Sequence, residues 1–479
     1  MFLFSLDQAS VAVALPQLAS QLHHVDRIGW VVAAYLLATA VAAPLWGRLG
    51  EVITRKGAYE ASIAVFVLGS LLAALSSSFG WLVAARAVQG LGGGGLLVCA
   101  QAIVVEVVPL ERRGRYLRLF GVIFGLAVLV GPLVGGVLTQ RLSWRWIFLI
   151  NVPLGIAALL AVHLLLHVPM RRARHHLDVS GCVSLVIAVS SMVSTITLLG
   201  AGDAWPGVGL LVSAATSVAA ITVFVSHERR APEPIVPRGV LADRAMVLLM
   251  VLAVVVGCCI LGELALIPLY LQTVRGLSPT LSGIAILPLM AGMIVTFNLS
   301  RVIMFRTGRI KALPALGFLL VSTGSFALAM IDGSAPFGEV AAFLFTIGLG
   351  AGLVLQVLVL AIQVAAPPGL LGQATALESL SRALGAVIGV SVLNAVLIAR
   401  VFERLAVTTG SRAEAASLVR NLSLARIRSD HPSGITRAII GSLTDGAQSM
   451  FFVGGSVAIC GTIVALLVPG SRLRVGQRD

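Results

Sequence analysis

The sequence predicts an all-α integral membrane protein: two pseudo-symmetric six-helix bundles with two linker transmembrane helices between them, fourteen spans in all. Three observations carry that expectation. Hydrophobic residues make up 58% of the 479 positions and charged residues 11%, with a mean hydropathy of +1.01. Soluble domains carry about a quarter charged residues. Apolar runs of about 20 residues, enough for a helix to cross the hydrocarbon core, recur along the whole chain. Basic residues collect in alternate short loops, the bias that holds such loops in the cytoplasm.

The N-terminal bundle is expected over 1–167, with spans at 1–21, 29–48, 58–78, 81–107, 116–138 and 146–167. The first span opens at Met1-Phe2-Leu3-Phe4 with no basic stretch ahead of it, so no cleavable signal peptide is expected. The second and third flank a charged hinge, Gly47-Arg48-Leu49-Gly50-Glu51-Val52-Ile53-Thr54-Arg55-Lys56-Gly57. The fourth holds Gly90-Leu91-Gly92-Gly93-Gly94-Gly95, which lacks the Lys-Ser/Thr of a phosphate loop and reads as a close-packing face. Gly131, Pro132, Gly135 and Gly136 give the fifth span a bend and a smooth face.

The linker pair is expected within 168–245, with spans at 179–200 and 207–226. The C-terminal bundle follows over 246–479, with spans at 246–274, 280–303, 312–331, 337–365, 373–400 and 446–468. Residues 401–445 read as a long polar extracytoplasmic segment, with a surface helix possible over 413–428. The six-two-six division suggests an internal repeat with a site between its copies. Laying Arg309 on Arg55 puts Phe305 at the place of Glu51 and Arg301 at that of Gly47.

Loops expected inside hold twenty of the 34 Lys and Arg residues, while the short outside loops hold only Arg27, Arg141, Arg145 and Arg275. Both termini are therefore expected in the cytoplasm, in a plasma or inner membrane. The six arginines of 401–445 go against this bias. The net charge of +14 is explained by loops that set orientation and touch anionic lipid, so no nucleic-acid partner is expected. Cys99, Cys182, Cys258, Cys259 and Cys460 lie in apolar runs without metal-ligand spacing, and read as packing residues.

The hinge has a physical logic. Gly47 allows close helix approach, and Glu51 is an anion at a helix end with Arg55 and either Arg112 or Arg113 of the next inside loop in reach; Lys56 completes the expected latch. Such a cluster is able to latch two bundles in one conformation; the competing reading is a solvated turn that only sets topology.

The hinge resembles the G-x3-D-x2-G-R-K signature of the major facilitator superfamily, with Glu51 for Asp and Thr54 for Gly. Other stretches resemble its fourteen-span drug:proton antiporter branch. They are Leu6-Asp7 with Val13-Ala14-Leu15-Pro16, Arg86-Ala87-Val88-Gln89-Gly90, and Gly131-Pro132-Leu133-Val134-Gly135-Gly136. Trp144-Arg145-Trp146-Ile147-Phe148, Asn151-Val152-Pro153 and Pro268-Leu269-Tyr270-Leu271-Gln272 are similar to it as well. The resemblance implies proton coupling through Asp7 and Arg86, and exchange linked to the Gly131–Gly136 face.

A carboxylate deep in a span costs about 2.5–3.5 kcal/mol on insertion scales, so Asp7 either lines a pathway or sits near the interface, two turns from Met1. Arg86 keeps its charge and acts on a neighbouring acid or water, or forms a structural ion pair. Glu263 lies mid-span with no basic residue within a turn, so it is protonated or faces water. It is a second protonation site, a contact for a cationic substrate, or a neutral acid bonded to a neighbouring helix. Glu378 and Arg382 are four apart on one face, a structural or a coupling pair. Gln356 and Gln363 share a face that could line a cavity, and Glu106 is placed at the inner surface.

These readings predict a monomeric proton-coupled antiporter without cofactor, driven by the proton gradient. It would export small hydrophobic, lipid-like or cationic molecules by alternating access. A lipid or glycolipid exporter, a proton-coupled importer and a non-transporting receptor are the alternatives. No nucleophile–base pair or nucleotide loop points to an enzyme.

Overall fold

The structure is a computed structural model and describes residues 2–22, 28–108, 110–166, 179–200, 208–231, 238–307, 312–333, 335–366, 371–420 and 433–469. Every regular element among the described residues is a helix. The N-terminal set comprises α1 (Phe2–Leu22), α2 (Gly29–Val52), α3 (Arg55–Ala74), α4 (Phe79–Val107), α5 (Leu110–Arg141), α6 (Arg145–Leu149) and α7 (Asn151–Leu165). Two helices follow, α8 (Val179–Gly200) and α9 (Val208–Glu228), and then the short α10 (Arg238–Leu241). The C-terminal set comprises α11 (Arg244–Val256), a π turn (Gly257–Leu261), α12 (Gly262–Thr273), α13 (Pro279–Ala285), α14 (Leu287–Thr307), α15 (Ala312–Met330), α16 (Phe337–Ala365), α17 (Leu371–Thr409), α18 (Arg412–Arg420) and α19 (Ser433–Leu467).

Among the described residues eleven helical stretches are long and apolar enough to cross a membrane. The shorter apolar stretches Phe2–Leu18 and Val183–Leu199 mark two more of the expected spans. Local chemistry sets several starts. The hydroxyl of Thr54 caps α3 by accepting from Gly57 N at 2.9 Å, a role for the residue that departs from the hinge signature. Ser78, Asp243 and Ser278 cap α4, α11 and α13 in the same way. Gly276, at φ 65°, turns the chain between α12 and α13.

In the N-terminal set α4 packs on α2 and α3, α1 on α5, and α7 on α3. In the C-terminal set α16 packs on α14 and α15, and α19 on α15 and α17. α8 lies against α2 and α17, one helix from each set, and α9 packs mainly on α8. The sets also meet where α5 touches α13 and α1 touches α12. There Gln272 Nε2 donates to Val13 O at 2.7 Å, and Thr280 N to Gln140 Oε1 at 3.4 Å.

The segment 401–445 differs from its expectation. α17 runs on to Thr409 and stops at Gly410, whose φ of 68° suits a helix C-terminus. At 39 residues α17 is about 58 Å long, well beyond a hydrocarbon core of about 30 Å. α19 starts at Ser433 and α18 fills Arg412–Arg420, while 421–432 lie outside the described residues. The reason is hidden apolar spacing: Val401 with Leu405, Ala415 with Val419, and Ile439 with Leu443 are each four apart and join one buried cluster.

Candidate functional site

α1 brings Asp7 into the middle of the N-terminal set, where its side chain is fully buried and Arg86 from α4 is 2% exposed. Arg86 Nη1 donates to Asp7 Oδ2 at 2.7 Å and to Gln89 Oε1 at 2.6 Å, and its Nε donates to Val31 O at 3.3 Å. Gln89 Nε2 donates to Asp7 Oδ1 at 2.8 Å, and Asn151 Nδ2 donates to the same oxygen at 2.9 Å. Both amides also donate to Ser70 Oγ at 3.1 Å, and that hydroxyl donates to Phe148 O at 2.9 Å. The Tyr35 ring lies 4.0 Å under the guanidinium. Asp7 thus accepts three hydrogen bonds, one from a cation, an arrangement that suits its ionised form.

The stretch Trp144–Phe148 closes this site from one end. Trp144 is buried and its Nε1 donates to Gln21 Oε1 at 2.7 Å; Arg145 lies 4.4 Å over its ring and donates to Ser76 O at 3.0 Å. Phe148 meets Trp144 edge-on, with ring centroids 6.1 Å apart.

Glu263 sits in the C-terminal set, just after the π turn, and is fully buried. Ser325 Oγ from α15 donates to Glu263 Oε2 at 2.8 Å. Oε1 has no hydrogen-bond partner among the described residues. It lies against Gly454 of α19, where a β-carbon would collide with it.

The remaining candidates are spread over the molecule. Glu378 is buried and pairs with the half-buried Arg382 at 2.9 Å. Gln356 is half-buried and Gln363 exposed. Arg55 Nη1 donates to Gly47 O at 2.9 Å and its Nε lies 3.6 Å from Glu106, tying α2, α3 and α4 together. Lys56 donates to His163 O at 2.6 Å and lies 3.9 Å from Glu60. These hinge contacts lie within the N-terminal set. The side chains of Glu51, Arg112 and Arg113 lie outside the described residues. On α5, Gly131 O accepts from Ser10 Oγ at 2.9 Å and Gly135 packs on the Ser10 backbone. Gly136 packs on the backbone of Pro279, and the carbonyl of Pro132 on Gly283, so this face joins both sets.

The sequence does not single out Gln89 and Asn151 as partners of Asp7, Ser70 and Tyr35 as neighbours of the site, or Ser325 and Gly454 as neighbours of Glu263. One signal was legible: Gln89 is one turn from Arg86 and shares its face.

A multi-helix apolar fold with a buried ion pair at the centre of one helix set, and a glycine-lined joint to the other, marks a multi-pass membrane protein. Residues 1–390 match the family model of the Major Facilitator Superfamily, and the chain belongs to that family. It is 34% identical over 466 residues to an uncharacterised MFS-type transporter of Mycobacterium tuberculosis, covering 96% of this chain and 67% of that protein. A multidrug transporter protein of Bacillus subtilis is 28% identical over 84% of this chain and 74% of its own length. An MFS efflux transporter of Aspergillus oryzae is 29% identical over 99% and 88%. Among solved structures, the fold matches a bacterial homolog of the human lysosomal transporter Spinster in an inward-facing conformation. The TM-score is 0.68, at 15% identity, covering 100% of this chain and 96% of that one.

Proposed function

We propose that this transporter exports hydrophobic or cationic small molecules in exchange for protons, as a member of the fourteen-span drug:proton antiporter branch. The observation that carries the reading is the Asp7–Arg86 pair, buried and bonded at 2.7 Å. A proton arriving at Asp7 cancels the charge that holds Arg86, Gln89 and Asn151, so loading and unloading this acid changes how α1, α4 and α7 are held together. Relatives named as multidrug and efflux transporters support the direction and the substrate class.

Alternating access is supported by the joint. Two six-helix bundles, held by α5 on α13 and α1 on α12 at the end expected outside, would rock about glycine contacts that offer little resistance. With the arginine-rich loops in the cytoplasm, a 100 mV potential adds about 2.3 kcal/mol per charge moved. Proteoliposomes loaded with ethidium test this. An imposed proton gradient is expected to drive ethidium across the membrane in wild type, and Asp7→Asn to lose that transport while remaining folded. Wild-type transport by Asp7→Asn would remove the pair from the coupling.

A further inference from the structure

We propose that Glu263 is a second proton-binding site, the internal-repeat counterpart of Asp7 from which the cation has been removed, and that it carries its proton in this conformation. This rests on the proton-exchange reading above only for its place in the transport cycle.

The register of the repeat is visible in the packing. α4 and α16 each have 29 residues. Gly90, Gly92 and Gly94 of α4 stand where Gly348, Gly350 and Gly352 stand in α16, counted from the first residue of each helix. Their contacts correspond as well. Gly90 and Gly94 lie on the α2 backbone at Tyr35 and Thr39, while Gly348 and Gly352 lie on α14 at Leu289 and Met293. Gly92 lies on α3 at Phe66, and Gly350 on α15 at Gly317 and Val321. The dipeptide Gly69-Ser70 of α3 recurs as Gly324-Ser325 of α15, with Gly69 against Gln89 and Gly324 against Ile347.

In this register each partner of Asp7 has a counterpart. Ser70, bonded to the amides that hold Asp7, becomes Ser325, bonded to Glu263. Arg86, four residues before Gly90, becomes Leu344, four before Gly348. Gln89 becomes Ile347, and Tyr35, at the contact of Gly90, becomes Leu289 at the contact of Gly348. The place that Asn151 takes beside Asp7 is taken beside Glu263 by Gly454. Leu344, Ile347 and Leu289 are buried in one apolar cluster. The acid and its hydroxyl are kept, and every other donor is replaced by a group that gives no hydrogen bond.

The groups packed around Glu263 leave the proton as its ligand. α15 presents Ser325 and α19 presents Gly454. α17 meets Gly262 with Gly389, Val390 and Leu393. On the π turn just before it stand Cys258 and Cys259, and the Cys259 thiol donates to Val255 O at 3.0 Å. Of the described charged groups on the surrounding elements, Glu378 pairs with Arg382, Arg400 with Glu403 and Arg404 with Asp445, Arg275 donates to the carbonyls of Gly333 and Ala335, and Arg244, at the start of α11, is exposed. Gly454 closes on Oε1, leaving no room at that point even for a methyl group. A buried carboxyl with one hydroxyl donor and no cation is held as the neutral acid.

Infrared spectroscopy of the purified full chain at neutral pH tests the site directly. Wild type is expected to show the C=O stretch of a protonated carboxyl, Glu263→Gln to lose it, and Asp7→Asn to keep it. Ser325→Ala is expected to move the band to higher frequency, because it removes the hydrogen bond from the acid and leaves the acid in place. A band retained in Glu263→Gln, or unmoved in Ser325→Ala should Glu263→Gln fail to fold, overturns the proposal. In ethidium-loaded proteoliposomes, Glu263→Gln is expected to exchange one proton fewer per ethidium; an unchanged ratio overturns its part in exchange. Wild type that moves no ethidium under a proton gradient would sink the export reading while leaving the infrared result standing.

Discussion

Asp7 and Glu263 are both buried acids on the first span of their sets, and they are held in opposite ways. Asp7 accepts from a guanidinium and two amides; Glu263 accepts from one hydroxyl and faces a glycine. The first site keeps a charge by matching it, and the second keeps an acid by allowing it to be neutral. Burial is the same in both, so the difference lies in the donors that the fourth and last spans supply.

The largest test of this contrast is Arg86→Leu, which gives the first site the residue found at the matching place of the second. It leaves Asp7 buried without its cation, a loss of about 3–5 kcal/mol. Melting in detergent is expected to show it as a large fall in Tm, with much of the loss recovered in the Asp7→Asn/Arg86→Leu double variant. No recovery would mean that packing, and not charge, holds the pair.

Asn151→Ala and Ser325→Ala sharpen the same contrast by one hydrogen bond each. The first removes a donor to an ion and is expected to cost about 1.5–3 kcal/mol; the second removes a donor to a neutral group, about 0.5–1.5 kcal/mol. Equal falls in Tm would argue that the two acids have the same charge. Between them stands Gly454→Ala, whose methyl meets Glu263 Oε1 and is expected to cost about 1–3 kcal/mol through overpacking. The cost should shrink when Glu263→Ala is added, which calorimetry of the double variant would report. Smallest is Arg404→Ala, which breaks an exposed pair with Asp445 and is expected to change Tm by no more than about 1 kcal/mol allows.

Composition and periodicity made the helical membrane architecture legible, because each span must bury its own backbone hydrogen bonds and so announces itself by length and apolarity. Asp7, Arg86 and Glu263 were legible for a related reason: an ionisable group inside such a run is conspicuous. The segment 401–445 was not, since its buried Leu405, Val419 and Leu443 are diluted among polar residues and act only when three helices come together. Nor were the partners of the acids. Ser70, Asn151 and Ser325 are ordinary polar residues in ordinary spans, and they stand 63, 144 and 62 positions from the acids they serve.

What the chain determined alone is therefore where it is helical, how long it stays apolar, and which few side chains are out of place there. Which of those side chains is matched with a charge and which is left as a neutral acid was decided only by tertiary packing. Hydropathy is a property of each residue, while the energy of a buried charge depends on every donor that the neighbouring helices bring within about 3 Å.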